Sequence, residues 1–267
     1  MIRLSDHFTC RRLLRFTFPS IVMLVFTSIY GVVDGFFVSN YVGKTPFAAV
    51  NFIMPFLLVL GCVGFMFGTG GGALIPKTLG EGDRGKANRI FSMLVWVSAL
   101  CGVGLAILGQ LLLAPVAALL GAEGEMLADS VTYGRIILLA IPAYVLQYEF
   151  QCLFATAEKP KLGLAVTVAA GMTNVVLDAL LVAGLSWGLE GAAAATAVSQ
   201  CVGGLLPLLY FGRPNRSLLR LTRSGLDRRA LCKACTNGSS EFLSNISMSV
   251  VGMLYNVQLQ RYAGEDG

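Results

Sequence analysis

Charge is scarce in this sequence. Asp, Glu, Lys and Arg make up 13% of its 267 residues, about half of what a soluble domain carries. With 55% hydrophobic residues and a mean hydropathy of +0.72, that deficit excludes a soluble globular protein and indicates an integral membrane one. Histidine is almost missing, His7 being the single copy. A zinc centre needs about four ligands, so the one Cys-x-x-Cys, Cys232 and Cys235, reads as two reduced thiols in a basic loop. Cys62, Cys101, Cys152 and Cys201 fall inside apolar stretches, where a thiol behaves as a small hydrophobe. No His/Ser/Asp or metal constellation lies in those stretches, so neither an enzyme nor a cofactor is expected. The net charge of +5 does not indicate nucleic-acid binding, because the cations sit between apolar runs, where they set membrane topology. The start, MIRLSDHFTCRRLLRF, lacks a cleavage site and reads as a cytoplasmic amphipathic lead-in to a first helix.

One stretch imitates a nucleotide site. LGEGDRGKANR, residues 79–89, has the G-x-x-x-x-G-K spacing of a phosphate-cradling loop. Such a loop ends in a Ser or Thr that ligates Mg²⁺, and here the position is Ala87. It also follows a short buried strand, whereas about thirty nearly uncharged residues precede Gly80. The stretch is therefore expected to be a turn between two membrane helices.

Seven apolar segments are expected, at about 16–40, 47–76, 90–118, 132–157, 161–185, 190–211 and 238–262. Of the 20 basic residues, 17 fall at the N-terminus and in the second, fourth and sixth connections. Only Lys44, Arg135 and Arg261 fall on the opposite side. The positive-inside rule then makes the N-terminus cytoplasmic in a multi-pass protein of the plasma (inner) membrane.

Shifting the chain by 221 residues lays SIYGVVDGFFVSNYVG (28–43) on SVVGMLYNVQLQRYAG (249–264) without a gap. This repeat suggests an all-α organisation: a six-helix bundle over 1–212, a basic cytoplasmic linker over 213–235, and the first helix of a second lobe over 236–267. The ending RYAGEDG resembles an inter-helix loop, so the rest of a second lobe is expected in the parent protein.

Carboxylates inside apolar segments carry the functional signal. An Asp at the bilayer centre costs about 2.5–3.5 kcal/mol, so it normally faces a cavity or a partner. Asp34, Glu149 and Asp178 qualify, and few cations lie at their depth. A proton or small cation is the natural partner. Asn174 and Asp178 are four residues apart and share a helical face; a carboxylate with an amide oxygen is hard-oxygen chemistry, suited to Na⁺ as well as H⁺. If Asp34 and Asp178 share a cavity, they titrate as a coupled pair. Glu149 lies about ten residues before Lys159, toward the cytoplasmic end, where water can solvate it. Glu241 is expected at an interface. Pro19, Pro55 and Pro142 fall within helices and are candidate bend points.

Together, VVDGFFVSNYVG, the G-E-G-D…A loop at 80–87, NVVLD at 174–178 and GLEGAAAATAVSQ at 188–200 resemble the multidrug and toxic compound extrusion (MATE) transporters. The resemblance implies a twelve-helix, two-lobe transporter that exports cationic or amphipathic compounds in exchange for H⁺ or Na⁺ by alternating access. It implies a cation site at Asp34, Asn174, Asp178 and Thr196, with bending of the first helix at Pro19. It gives no role to Glu241, which lies nearer the start of its helix than the glutamate some branches use. Two other readings stand beside it. A flippase for lipid-linked saccharides would need a cationic cavity, and a seven-helix receptor would need the chain to be complete.

Overall fold

The computed structural model describes residues 10–214 and 217–263. The lead-in over residues 1–9, the side chains of Arg11, Arg12 and Arg15, and residues 264–267 lie outside the described part, and with them part of the proposed repeat. The described chain is helical: α1 (Cys10–Phe37), α2 (Lys44–Gly80), α3 (Arg84–Leu119), α4 (Gly124–Thr156), α5 (Pro160–Leu177), α6 (Gly188–Gly212) and α7 (Arg228–Ala263). Wider π-helical turns extend α1 over Val38–Val42 and α5 over Asp178–Gly184. Backbone amides in lipid have no water to bond, so a chain this apolar must satisfy them within helices. The first six helices are each long and apolar enough to cross a membrane. α2 and α3, at 37 and 36 residues, are about 55 Å long against a hydrocarbon core of about 30 Å, so their ends extend past it.

The turn between them is residues 81–83. Gly82 takes a φ of +88°, a conformation that costs glycine little, and the Asp83 carboxylate accepts a 2.8 Å hydrogen bond from the Lys86 amide to cap α3. A helix, not a strand, runs into Gly80, which rules out the phosphate-loop geometry.

α4 is the centre of the bundle. Tyr133, Ile137, Ile141, Val145, Phe150 and Leu153 along its length are all at most 1% exposed, and α2, α3 and α6 pack around it. Two glycines set how close the neighbours come. A Cβ at Gly64 on α2 would collide with the Val145 carbonyl oxygen, and one at Gly204 on α6 with the Ala143 carbonyl oxygen. Small residues at such crossings let membrane helices approach backbone to backbone. α1 packs mainly on α5, and α5 on α6.

The seventh segment differs from expectation. Its helix begins at Arg228, inside the stretch expected as linker, because Asp227 Oδ1 accepts from the Arg229 and Ala230 amides at 3.0 and 3.1 Å and caps it there. Its many Ser, Asn and Gln residues keep it out of the apolar set that α1–α6 form. α7 runs antiparallel to α2: Gly238 meets the Met66 backbone, and Asn256 donates to the Asn51 carbonyl at 3.0 Å.

The segment before α7 is fastened rather than loose. Leu219 is buried, the Arg220 amide donates to Asn88 Oδ1 at 3.1 Å, and the Thr222 amide donates to Ser92 Oγ at 2.8 Å.

The packing yields a stability prediction. Gly64→Ala or Gly204→Ala should each lower Tm in detergent by an amount corresponding to about 1–3 kcal/mol of overpacking. Gly104→Ala, inside α3 at a site with nothing within 4 Å, should not lower Tm and should raise it slightly, because Ala favours a helix over Gly.

Candidate functional site

Four of the residues singled out from the sequence meet in space. Asp34 projects from α1, Asn174 from α5 and Thr196 from α6, and the three form a closed triangle. Asn174 Nδ2 donates to Asp34 Oδ1 at 3.5 Å and to Thr196 Oγ1 at 3.4 Å, and Thr196 Oγ1 donates to Asp34 Oδ1 at 3.4 Å. Asp178, one turn beyond Asn174, is completely buried and is an electrostatic neighbour of Asp34. The π turn of α5 begins at Asp178 itself, and that of α1 begins four residues after Asp34. Both carboxylates therefore sit where their helix widens, a distortion that often accompanies functional sites.

The cluster has more acceptors than donors. Neither oxygen of Asp178, nor Asn174 Oδ1, meets a hydrogen-bond donor among the described residues. Buried polar atoms without partners are uncommon, and here three lie in one place. The donor set is oxygen only. Among the described residues no group of three or more His, Cys, Asp or Glu gathers as a metal site would require. Hard oxygens of this kind suit a proton or an alkali cation rather than a transition metal.

Asp34, Asn174 and Thr196 open onto a cavity of about 310 Å³ between α1, α2, α4, α5 and α6. Its walls are aromatic and amide-bearing: Tyr30, Tyr144, Tyr148, Gln147, Gln151 and Gln200 contribute. The Tyr144 and Tyr148 hydroxyls are hydrogen-bonded to each other, and Phe65 lies against Tyr148 with ring centroids 4.1 Å apart. Among the described residues no Lys or Arg lines the cavity.

Sequence reasoning missed Tyr133. It sits on α4, is 1% exposed, and is a neighbour of Asp34, Thr196 and Asp178. Nothing in its local sequence, ADSVTYGRI, separates it from an ordinary aromatic; only the path of α4 past the cluster reveals it. Gln147 and Gln200 carried a readable signal that was passed over, since an amide within an apolar helix normally faces a cavity or a partner.

Two candidates lie elsewhere. Glu149 was expected to reach water near the cytoplasmic end. Instead it is fully buried between α3 and α4, its Oε2 hydrogen-bonded to the Ser98 hydroxyl, and it does not line the cavity. Its chain neighbour Phe150 and, one turn on, Leu153 belong to a buried hydrophobic cluster with Phe91. Pro19 is buried within α1, fifteen residues and thus about 22 Å along the axis from Asp34; α1 runs through it as one helix.

These features define a class first: an all-helical integral membrane protein with an acidic, acceptor-rich site at the wall of an internal cavity. The chain belongs to the MatE family, whose model matches residues 19–180. It is 26% identical over 253 residues to the multidrug export protein MepA of Staphylococcus haemolyticus, covering 94% of this chain and 56% of that protein. The MepA of Staphylococcus aureus strain MRSA252 is 24% identical over 253 residues. The chain thus spans about half the length of the curated relatives it matches. Its fold is that of a multidrug resistance MATE family transporter solved in an inward-facing conformation, with a TM-score of 0.84 and 22% identity over 92% of this chain and 58% of that one. A structure of such a transporter in an outward-facing conformation fits as well, with a TM-score of 0.85 and 22% identity over 95% of this chain and 56% of that one.

The burial of Glu149 makes a prediction. Glu149→Ala removes the hydrogen bond to Ser98 and leaves a void at a fully buried position, and should reduce stability by about 1–3 kcal/mol, read as Tm in detergent. Glu149→Gln, whose amide can still donate to Ser98 Oγ, should lose clearly less.

Proposed function

We propose that this chain is the cation-handling lobe of a secondary multidrug efflux transporter. In this reading, cationic or amphipathic compounds leave the cell in exchange for H⁺ or Na⁺ bound at Asp34, Asn174, Asp178 and Thr196. The observation that carries it is the acceptor-rich cluster opening onto an aromatic cavity. Two adjacent carboxylates in a low-dielectric bundle repel one another unless a positive ion joins them. A cation held there, and a cationic drug in the adjoining cavity, compete for the same negative field, so entry of one favours departure of the other. That competition is the thermodynamic basis of antiport.

The aromatic walls fit the drug side. Tyr30, Tyr144 and Tyr148 offer ring faces that attract flat or cationic compounds at about 0.5–2 kcal/mol per contact. A flippase for pyrophosphate-linked saccharides would need cations in that cavity, and none lines it among the described residues.

Alternating access then requires a second lobe across the cavity, with α7 as its first helix and 213–227 as the connection. The fold of this half is equally close to the inward- and outward-facing relatives, which fits a lobe that moves as a body. The basic ends of α2, α3 and the 217–227 segment face the cytoplasm in this reading, and the protein resides in the plasma membrane.

Two experiments test it. In cells expressing the full-length protein, Asp34→Asn and Asp178→Asn should each cut drug efflux by about tenfold or more, the loss of at least one strong transition-state interaction, while the protein still reaches the membrane. Efflux by the unmutated protein should respond to an imposed pH or Na⁺ gradient, and unaltered efflux in both variants would defeat the coupling. For orientation, exposed Cys232 should react with a membrane-impermeant maleimide in inside-out vesicles and not in intact cells; the reverse pattern would invert the topology.

A further inference from the structure

The cleft between α3 and the 217–227 segment has no part in the transport reading. Lys86, Arg89, Ile90 and Met93 are spaced i, i+3, i+4 and i+7 and therefore share one face of α3. With Gly225 and Asp227 they enclose a cavity of about 180 Å³, the volume of about six waters. Its chemistry is divided. Ile90 and Met93 form a floor at 3% exposure each, while Lys86 and Arg89 stand exposed at the mouth.

Two like charges one turn apart disfavour the helix that carries them. Among the described residues neither Lys86 nor Arg89 has an ion-pair partner. Asp227, the one carboxylate in the cleft, has its Oδ1 committed to the first amides of α7, and its own amide donates to Met93 Sδ at 3.2 Å. The site therefore carries net positive charge above an apolar base. α3 is 36 residues long, about 54 Å, which exceeds the hydrocarbon core by roughly two turns at each end. Lys86 to Met93 is the stretch that this overhang brings to headgroup level. Topology alone calls for cations at this end of the bundle, but not for a cleft with a greasy floor beneath two of them.

We propose that this cleft binds the phosphate of an anionic membrane lipid, with Lys86 and Arg89 on the phosphodiester oxygens and Ile90 and Met93 against the lipid's first methylenes. The lipid bridges α3 to the segment that joins α6 to α7, and so fastens the connection between the two lobes.

The test uses the full-length purified protein and phosphatidylglycerol, with phosphatidylcholine and inorganic phosphate as comparison ligands. Native mass spectrometry should show one phosphatidylglycerol retained in preference to phosphatidylcholine. Each cation near an anionic lipid contributes about fivefold in affinity, so Lys86→Gln with Arg89→Gln should weaken retention about thirtyfold. The charge-keeping pair Lys86→Arg with Arg89→Lys should retain the lipid, which separates loss of the site from loss of the fold. Lys77→Gln with Lys161→Gln, equal in charge but outside the cleft, should change retention by less than about threefold. Equal loss in both Gln pairs, no preference for phosphatidylglycerol, or stabilisation by inorganic phosphate alone that matches the lipid would each overturn the assignment.

Discussion

Two neighbouring carboxyl groups held inside an apolar bundle are the constraint around which the rest of the structure is organised. Asp178 is wholly enclosed, Asp34 is its neighbour, and the donors Asn174 Nδ2 and Thr196 Oγ1 both serve Asp34 Oδ1 and leave the Asp178 oxygens without one among the described residues. An apolar core would pack these helices at lower cost, since unpaired polar groups in lipid-embedded protein are destabilising. In the proposed reading this is a receptor kept ready for an ion; one π turn begins at Asp178 and the other four residues after Asp34.

The rest of the fold holds that receptor at fixed geometry. α4 passes the cluster at Tyr133 and the cavity at Tyr144, Gln147 and Tyr148, and it is clamped by α2 and α6 at the glycine crossings. Toward the basic end the interior becomes dry and aromatic, with Phe91, Phe150, Phe154 and Phe211 in mutual contact. Glu149 belongs to this dry zone, tied to Ser98. One helix therefore carries both a polar, cavity-lining stretch and a fully buried one that holds Glu149. The 217–227 segment is bonded to α3 at the same end, through Asn88, Ser92 and Met93.

Much of this was legible in the residues. Long runs without charge fixed the helices to within a few residues at most ends, because lipid leaves a backbone little alternative. The Asn174/Asp178 spacing gave a shared face, and the resemblance of four short stretches to MATE transporters singled out the set that meets in space. Tyr133 was not legible, since its role comes from a helix crossing and not from its neighbours in sequence. Glu149 was misplaced for the same reason: distance along the chain from Lys159 says nothing of how deeply the bundle buries it. The early start of α7 depended on one cap, Asp227, hidden in a run of arginines that reads as a loop.

The central claim is that Asp34 and Asp178 act as one unit on one ion. A double-mutant cycle on ion-driven drug transport by the full-length protein tests it most directly, because residues acting as a unit are non-additive. The account predicts that the Asp34→Asn, Asp178→Asn double variant is no more impaired than the worse single variant. A double variant whose loss equals the product of the two single losses would show two independent sites, and would contradict it.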